Sequence, residues 1–154
     1  MEWTPLPIGV ENFEEMITKG YYYVDKTLLI KDLIDLRGKV NLFTRPRRKT
    51  LNLSMLRYFF EKSGENRSHL FTGLEIMNAG EKYLRELGQY PVISLSMKSM
   101  KQASYESAFH CLKEEIAKEF KKYPQLIQKL EAEDDRRKYY LLMNRQAEDE
   151  EYLT

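Results

Sequence analysis

A basic turn between two apolar stretches constrains the fold of this chain more than any other feature of its sequence. The apolar run Val40 to Phe43 precedes the turn, the apolar-periodic stretch Leu51 to Phe60 follows it, and the turn itself reads Arg45-Pro46-Arg47-Arg48-Lys49-Thr50. This pattern predicts a strand, a turn and a helix in that order. A Lys-Thr pair at the start of a helix is typical of a phosphate-binding loop, because backbone N–H groups and the lysine neutralise phosphate while the hydroxyl holds a metal ion.

The turn lacks the glycine that such a loop normally contains. The pattern G-x-x-x-x-G-K-[ST] places glycine directly before the lysine, since the backbone amides must turn inward in conformations that favour positive φ. Arg48 stands at that position in this chain. The sequence therefore predicts an altered phosphate-binding turn.

Four blocks of the sequence occur in the same order in a bacterial family. They are Leu6-Pro7-Ile8-Gly9, Tyr23-Val24-Asp25-Lys26-Thr27, Phe43-Thr44-Arg45-Pro46-Arg47-Arg48 and Leu51-Asn52-Leu53-Ser54-Met55-Leu56. With these blocks the chain resembles the AAA-ATPase-like family of prokaryotic P-loop proteins, whose members often carry a PD-(D/E)XK nuclease-like domain further along the chain. The resemblance is good over roughly residues 5 to 100 and rests beyond them on chain order and the helical pattern.

The resemblance implies a nucleotide site with ATP and Mg²⁺ as its cofactors. The family's loop usually reads R-P-R-R-F-G-K-[ST], so this chain lacks the Phe-Gly pair. Because the flanking residues align, Lys49 matches the phosphate-binding lysine and Thr50 the metal-binding hydroxyl, with Arg47 or Arg48 on outer phosphate oxygens. We expect weak nucleotide binding at best. An intact loop in the natural protein is an alternative that mass spectrometry would decide.

Hydrolysis needs a carboxylate at the end of a second strand to hold the metal ion. We find no apolar strand that ends in Asp or Asp-Glu, and the acidic cluster Glu148 to Glu151 follows a polar stretch that is typical of a solvated helix end. In the resembling family the acidic strand comes after the region where this chain stops, so we expect a truncated module. Each missing group costs on the order of 10²–10³ in rate, and we do not expect turnover.

The basic turn also has other readings. The phosphates of a nucleic acid would suit the four basic residues Arg45, Arg47, Arg48 and Lys49. Alternatively, these residues form a solvated turn left from an ancestral loop.

Asp25 is well placed to cap the following helix, although the block around it could also lie near a nucleotide. Tyr21, Tyr22 and Tyr23 could stack on a base, but packing on a core is the commoner role of such aromatic residues.

Composition sets ordinary bounds on this chain of 154 residues. Its 25 basic and 24 acidic residues nearly cancel, so a net charge of +1 gives no global attraction to nucleic acid or to a membrane. The single cysteine, Cys111, cannot form an internal disulfide, and no apolar run approaches the ~20 residues of a membrane span. We expect a cytoplasmic protein without contact to a membrane.

Alternating strands and helices predict an α/β fold. Strands are expected over 39–44 and 91–96, and helices over 13–19, 26–36, 51–62, 78–87, 104–123 and 125–150, the last with a possible kink at Glu133-Asp134-Asp135. The expected architecture is a partial P-loop NTPase-like parallel sheet flanked by helices, with a helical C-terminal part. The divisions are an N-terminal segment 1–38, a P-loop core 39–100 and a helical part 101–154. So small a sheet would leave open edges through which the chain could self-associate.

Overall fold

The computed structural model describes residues 4–43 and 49–152. The chain divides into two compact units, Met1–Val92 and Ile93–Thr154. Six α-helices lie within the described residues: α1 Phe13–Thr18, α2 Leu28–Leu36, α3 Lys49–Phe60, α4 Glu81–Leu84, α5 Tyr105–Lys121 and α6 Glu133–Asn144. Short 3₁₀ turns lie at Ser68–Phe71, Glu75–Asn78, Lys98–Met100, Pro124–Lys129 and Asp149–Tyr152.

The expected parallel sheet is wrong for the part of the chain that the structure describes. Residues 39–43 and 91–96 are irregular, and the pairing of Glu61 with Tyr90 is an isolated parallel bridge. Val40 and Leu42 are 88% and 83% exposed, and Ile93 is 73% exposed. β-Branched composition favours an extended chain, but a strand is stabilised only by neighbours that pair with it, and two short runs supply too few. The expectation that the chain self-associates through an open sheet edge rested on this sheet.

The first unit begins with α1, which lies within the helix expected over 13–19. The side chain of Asn12 accepts a hydrogen bond from the N–H of Glu15 at 3.1 Å, which caps α1. At the other end Gly20 has a φ of 64°, and the N–H groups of Gly20 and Tyr21 donate to Ile17 and Met16. This pattern closes the helix with a glycine in the left-handed conformation.

The core of the first unit is aromatic. Phe13 of α1 stacks on Phe71 with ring centroids 5.1 Å apart, and Phe59 of α3 meets Phe71 edge to face at 5.2 Å. All three rings are fully buried. The N–H of Phe13 donates to the hydroxyl of Ser54 at 3.0 Å, which joins the start of α1 to α3. These contacts hold α3 in place, since burying each phenyl ring is worth about 1.5 to 3 kcal/mol.

The second unit packs α5 against α6 around Phe109, Leu142, Ala147 and Tyr152. Ser104, near which the sequence predicts the helix to begin, caps α5 by accepting from the N–H of Ser107. The helix expected over 125–150, with its possible kink at 133–135, is not continuous: the chain forms a 3₁₀ turn at Pro124–Lys129, becomes extended at Leu130, and then enters α6. No helix in the described ranges is long and apolar enough to cross a membrane.

Candidate functional site at the start of α3

Lys49 and Thr50 form the first turn of α3, and both are exposed. The next residue, Leu51, is only 4% exposed and belongs to the aromatic core. A buried leucine directly after the pair fixes the end of the helix in the first unit. The helix is twelve residues long, so its N-terminal N–H groups carry a partial positive charge of about half a unit.

The charges around this helix end favour an anion. The first turn of α3 contains no acidic residue. Among the described residues no carboxylate forms an ion pair with Lys49. The lysine ammonium and the helix N-terminus therefore add their positive potentials with no carboxylate in the turn to offset them.

The other predicted site residues, Arg45, Pro46, Arg47 and Arg48, lie outside the described residues. The structure brings Lys49 and Thr50 together on one helix end. The contributions of the arginines to the site stay predictions.

Thr50 offers one oxygen to a metal ion. Mg²⁺ prefers six oxygen ligands, and it is usually held by one or two carboxylates together with the phosphates of a nucleotide and water. Across residues 4–43 and 49–152 no group of three His, Cys, Asp or Glu side chains could hold a metal ion. Of the residues considered for the site, Thr50 alone would be a further ligand to a metal ion that arrives already bound to phosphates.

Asp25 and Thr27 have a role that the sequence did not reveal. One oxygen of Asp25 accepts from the N–H and hydroxyl of Thr27 at 2.8 and 2.7 Å, and the other accepts from the N–H of Glu75 at 2.7 Å. The fully buried hydroxyl of Thr27 accepts in turn from the N–H of Ile76 at 3.1 Å. Thr27, and not Asp25, is the N-cap residue of α2. The block is a structural clasp whose carboxylate oxygens both have protein partners.

The three consecutive tyrosines divide between core and surface. Tyr23 packs edge to face on Phe13 at 5.5 Å and directs its hydroxyl toward the sulfur of Met55. Burial raises the pKa of Tyr23 to about 12. Tyr22 is 54% exposed. Core packing, the commoner of the two alternatives, is thus the observed role of Tyr23.

Comparison with known proteins supports the family resemblance. A family model described as Predicted AAA-ATPase matches residues 7–152. No curated protein and no solved structure matches the chain. The match extends over both compact units and includes the turn, Lys49 and Thr50. Since it covers far more than half of the sequence, the chain belongs to the AAA-ATPase-like family of predicted AAA-ATPases.

Proposed function

We propose that this chain binds the phosphates of a nucleotide weakly at the start of α3. The observation that carries the proposal is the placement of Lys49 and Thr50, which lie exposed on the first turn of a helix anchored by the buried Leu51. Lys49 would meet the β- or γ-phosphate of ATP, and Thr50 would contact a metal ion bound to the phosphates. Membership of the AAA-ATPase-like family supports ATP as the nucleotide.

The expected affinity is low because few contacts are available. An exposed helix N-terminus contributes about 0.3 to 1 kcal/mol toward an anion, and a charge-assisted hydrogen bond about 1.5 to 3 kcal/mol. One contact of each kind totals about 2 to 4 kcal/mol, which corresponds to a Kd of about 1 mM or weaker. A loop with glycine before the lysine would add backbone N–H groups to this set.

We further propose that the chain does not hydrolyse ATP at an appreciable rate. The turn has Arg48 where the glycine of a phosphate-binding loop would stand, so backbone amides are poorly placed to surround the phosphates. Loss of a single stabilising donor costs about 10²–10³ in rate. Phosphate release from ATP should therefore stay at the background rate.

The single cysteine supports the cytoplasm as the location of the chain.

The test compares ATP, ADP and AMP by calorimetric titration at constant Mg²⁺. We expect affinity to fall as phosphates are removed, and Lys49→Ala to remove ATP binding. Lys62, an exposed lysine just beyond the other end of α3, provides a matched control, and Lys62→Ala should leave binding unchanged. Equal affinities for ATP and AMP would contradict the proposal.

A second candidate function is contact with nucleic acid through the same basic turn. The exposure of Lys49, which pairs with no described carboxylate, favours it together with the arginines that precede it in the sequence. Binding of this kind would weaken steeply with salt and would not depend on Mg²⁺ or on the number of phosphates in a mononucleotide. Titration of a single-stranded oligonucleotide between low and high salt separates the two functions.

A further inference from the structure

The first unit contains an open cavity of about 540 Å³ at the C-terminal end of α2. Its lining includes Leu33, Ile34, Arg37, Phe60, Lys82 and Tyr90. We call it the Arg37 cavity. Its volume lies in the range of about 300 to 1,000 Å³ that is typical of small-molecule sites.

One wall of the Arg37 cavity is aromatic and held firmly by the backbone. The rings of Phe60 and Tyr90 meet edge to face with centroids 5.9 Å apart. The N–H of Tyr90 donates to the carbonyl of Phe60 at 2.9 Å, and the N–H of Lys62 donates to the carbonyl of Tyr90 at 2.7 Å. Leu33 and Ile34 add aliphatic surface from α2. A flat apolar group would find preformed contacts on this wall.

Arg37 supplies a positive charge that lacks a partner among the described carboxylates. It is exposed, and it caps the end of α2 in the left-handed conformation with a φ of 47°. No described acceptor forms a hydrogen bond or ion pair with its guanidinium. Such a group is available to take a carboxylate or phosphate in a two-pronged contact.

The neighbouring charges leave the Arg37 cavity net positive. Lys82 pairs with Asp35 at 2.6 Å, and Asp35 also meets Lys31 at 3.5 Å. Glu86 is the one carboxylate in the lining, and it accepts a hydrogen bond from the hydroxyl of Tyr90. The pKa of Lys82 is raised above its usual value, chiefly by the hydrogen bond to Asp35, and the nearby guanidinium of Arg37 partly opposes that rise.

The Arg37 cavity is separate from the proposed phosphate site. Phe60 is the last residue of α3 and Lys49 is the first. At 1.5 Å per residue the two ends of this helix lie about 16 Å apart. A ligand in the cavity would therefore not occupy the phosphate site as well.

We propose that the Arg37 cavity binds a small aromatic anion, with its ring against Phe60 and Tyr90 and its carboxylate or phosphate on Arg37. The ring supplies the apolar contact and the anion supplies the orientation. A neutral ligand of the same shape would lose the contact with the guanidinium and bind more weakly.

The probe for this proposal is 2-naphthoate, titrated into the isotope-labelled full chain and followed by the backbone amide signals of Phe60 and Tyr90. We expect saturable shifts at these residues with a Kd of about 1 mM or below. The neutral isostere 2-naphthamide and the variant Arg37→Gln should each weaken binding about tenfold, as expected for loss of a charge-assisted contact. Arg85→Gln provides the matched control, because Arg85 is exposed and does not line the cavity.

Three results would each overturn the proposal. They are the absence of saturable shifts up to about 10 mM, ten times the largest expected Kd, equal affinity for 2-naphthoate and 2-naphthamide, and unchanged affinity in Arg37→Gln. Because Arg37 is exposed, its replacement by glutamine should leave the unit folded, and the amide spectrum of the variant reports this directly.

Discussion

The carboxylate of Asp25 accepts a hydrogen bond from the backbone N–H of Glu75 at 2.7 Å, across 50 residues of sequence. Its other oxygen accepts hydrogen bonds from the N–H and the hydroxyl of Thr27. These bonds fasten the start of α2 to the 3₁₀ turn at Glu75–Asn78, and α2 also contacts that turn directly. Hydrogen bonds to a charged group are stronger than neutral ones, so this clasp should matter for the stability of the first unit.

Asp25→Ala removes all three of these hydrogen bonds. We expect the free energy of unfolding of the first unit to fall by about 2 to 4 kcal/mol, since several bonds to one charged and half-buried group are lost together. Urea denaturation measures the change. Asp32 lies exposed on α2, and Asp32→Ala should stay within about 0.5 kcal/mol of the wild type. Equal effects of the two substitutions would show that the clasp contributes little.

Thr27→Val keeps the shape of a fully buried side chain but removes its hydroxyl. The N–H of Ile76 then lacks its acceptor, and we expect a loss of about 2 to 3 kcal/mol in the free energy of unfolding. Thr27→Ser keeps the hydroxyl and removes a methyl group, for a loss of about 1 kcal/mol. Thermal and urea unfolding should rank serine above valine at this position. The opposite order would mean that packing of the methyl group outweighs the hydrogen bond.

Asp35 should make stability depend on pH in the acid range. Its hydrogen bond to Lys82, together with that from the hydroxyl of Tyr83, holds the pKa of the Asp35 carboxyl below its usual value. A lowered pKa in the folded state gives stability that is present above the unfolded pKa and is lost as the pH falls through the folded pKa. The loss should therefore begin near pH 4, the ordinary pKa of an aspartate being about 3.9.

Asp35→Asn should flatten this part of the stability profile. Urea denaturation at a series of pH values from neutral to acid measures it, with Asp32→Asn as the control on the same helix. If the variant and the wild type lose stability in parallel below about pH 4, the ion pair with Lys82 contributes nothing to the pH dependence.

Local features of the fold could be predicted from the sequence. Asn12 and Ser104 cap helices through side chains that bond to N–H groups three residues away, and Gly20 ends α1 because it readily adopts a positive φ. Such features depend on a few neighbouring residues. The placement of Lys49 and Thr50 at the start of a helix could be predicted for the same reason, because the basic turn and the helix are adjacent in the chain.

Features that join distant segments could not be predicted. The apolar runs around Val40 and Ile93 are typical of strands. Whether such a run forms a strand depends on neighbouring strands that pair with it, and sequence periodicity does not identify them. The bond from Glu75 to Asp25 and the walls of the Arg37 cavity combine segments that are dozens of residues apart. No local pattern marks Arg37, which looks like an ordinary charged residue at the end of a helix.

The most direct test of the account is a calorimetric titration of the mass-verified chain with ATP and Mg²⁺. It would compare the wild type with Lys49→Ala and with a variant that has Phe-Gly inserted between Arg48 and Lys49. We predict weak binding by the wild type, no binding by Lys49→Ala, and stronger binding after the insertion, because the added glycine lets backbone N–H groups approach the phosphates. Binding by Lys49→Ala with the affinity of the wild type would contradict the account.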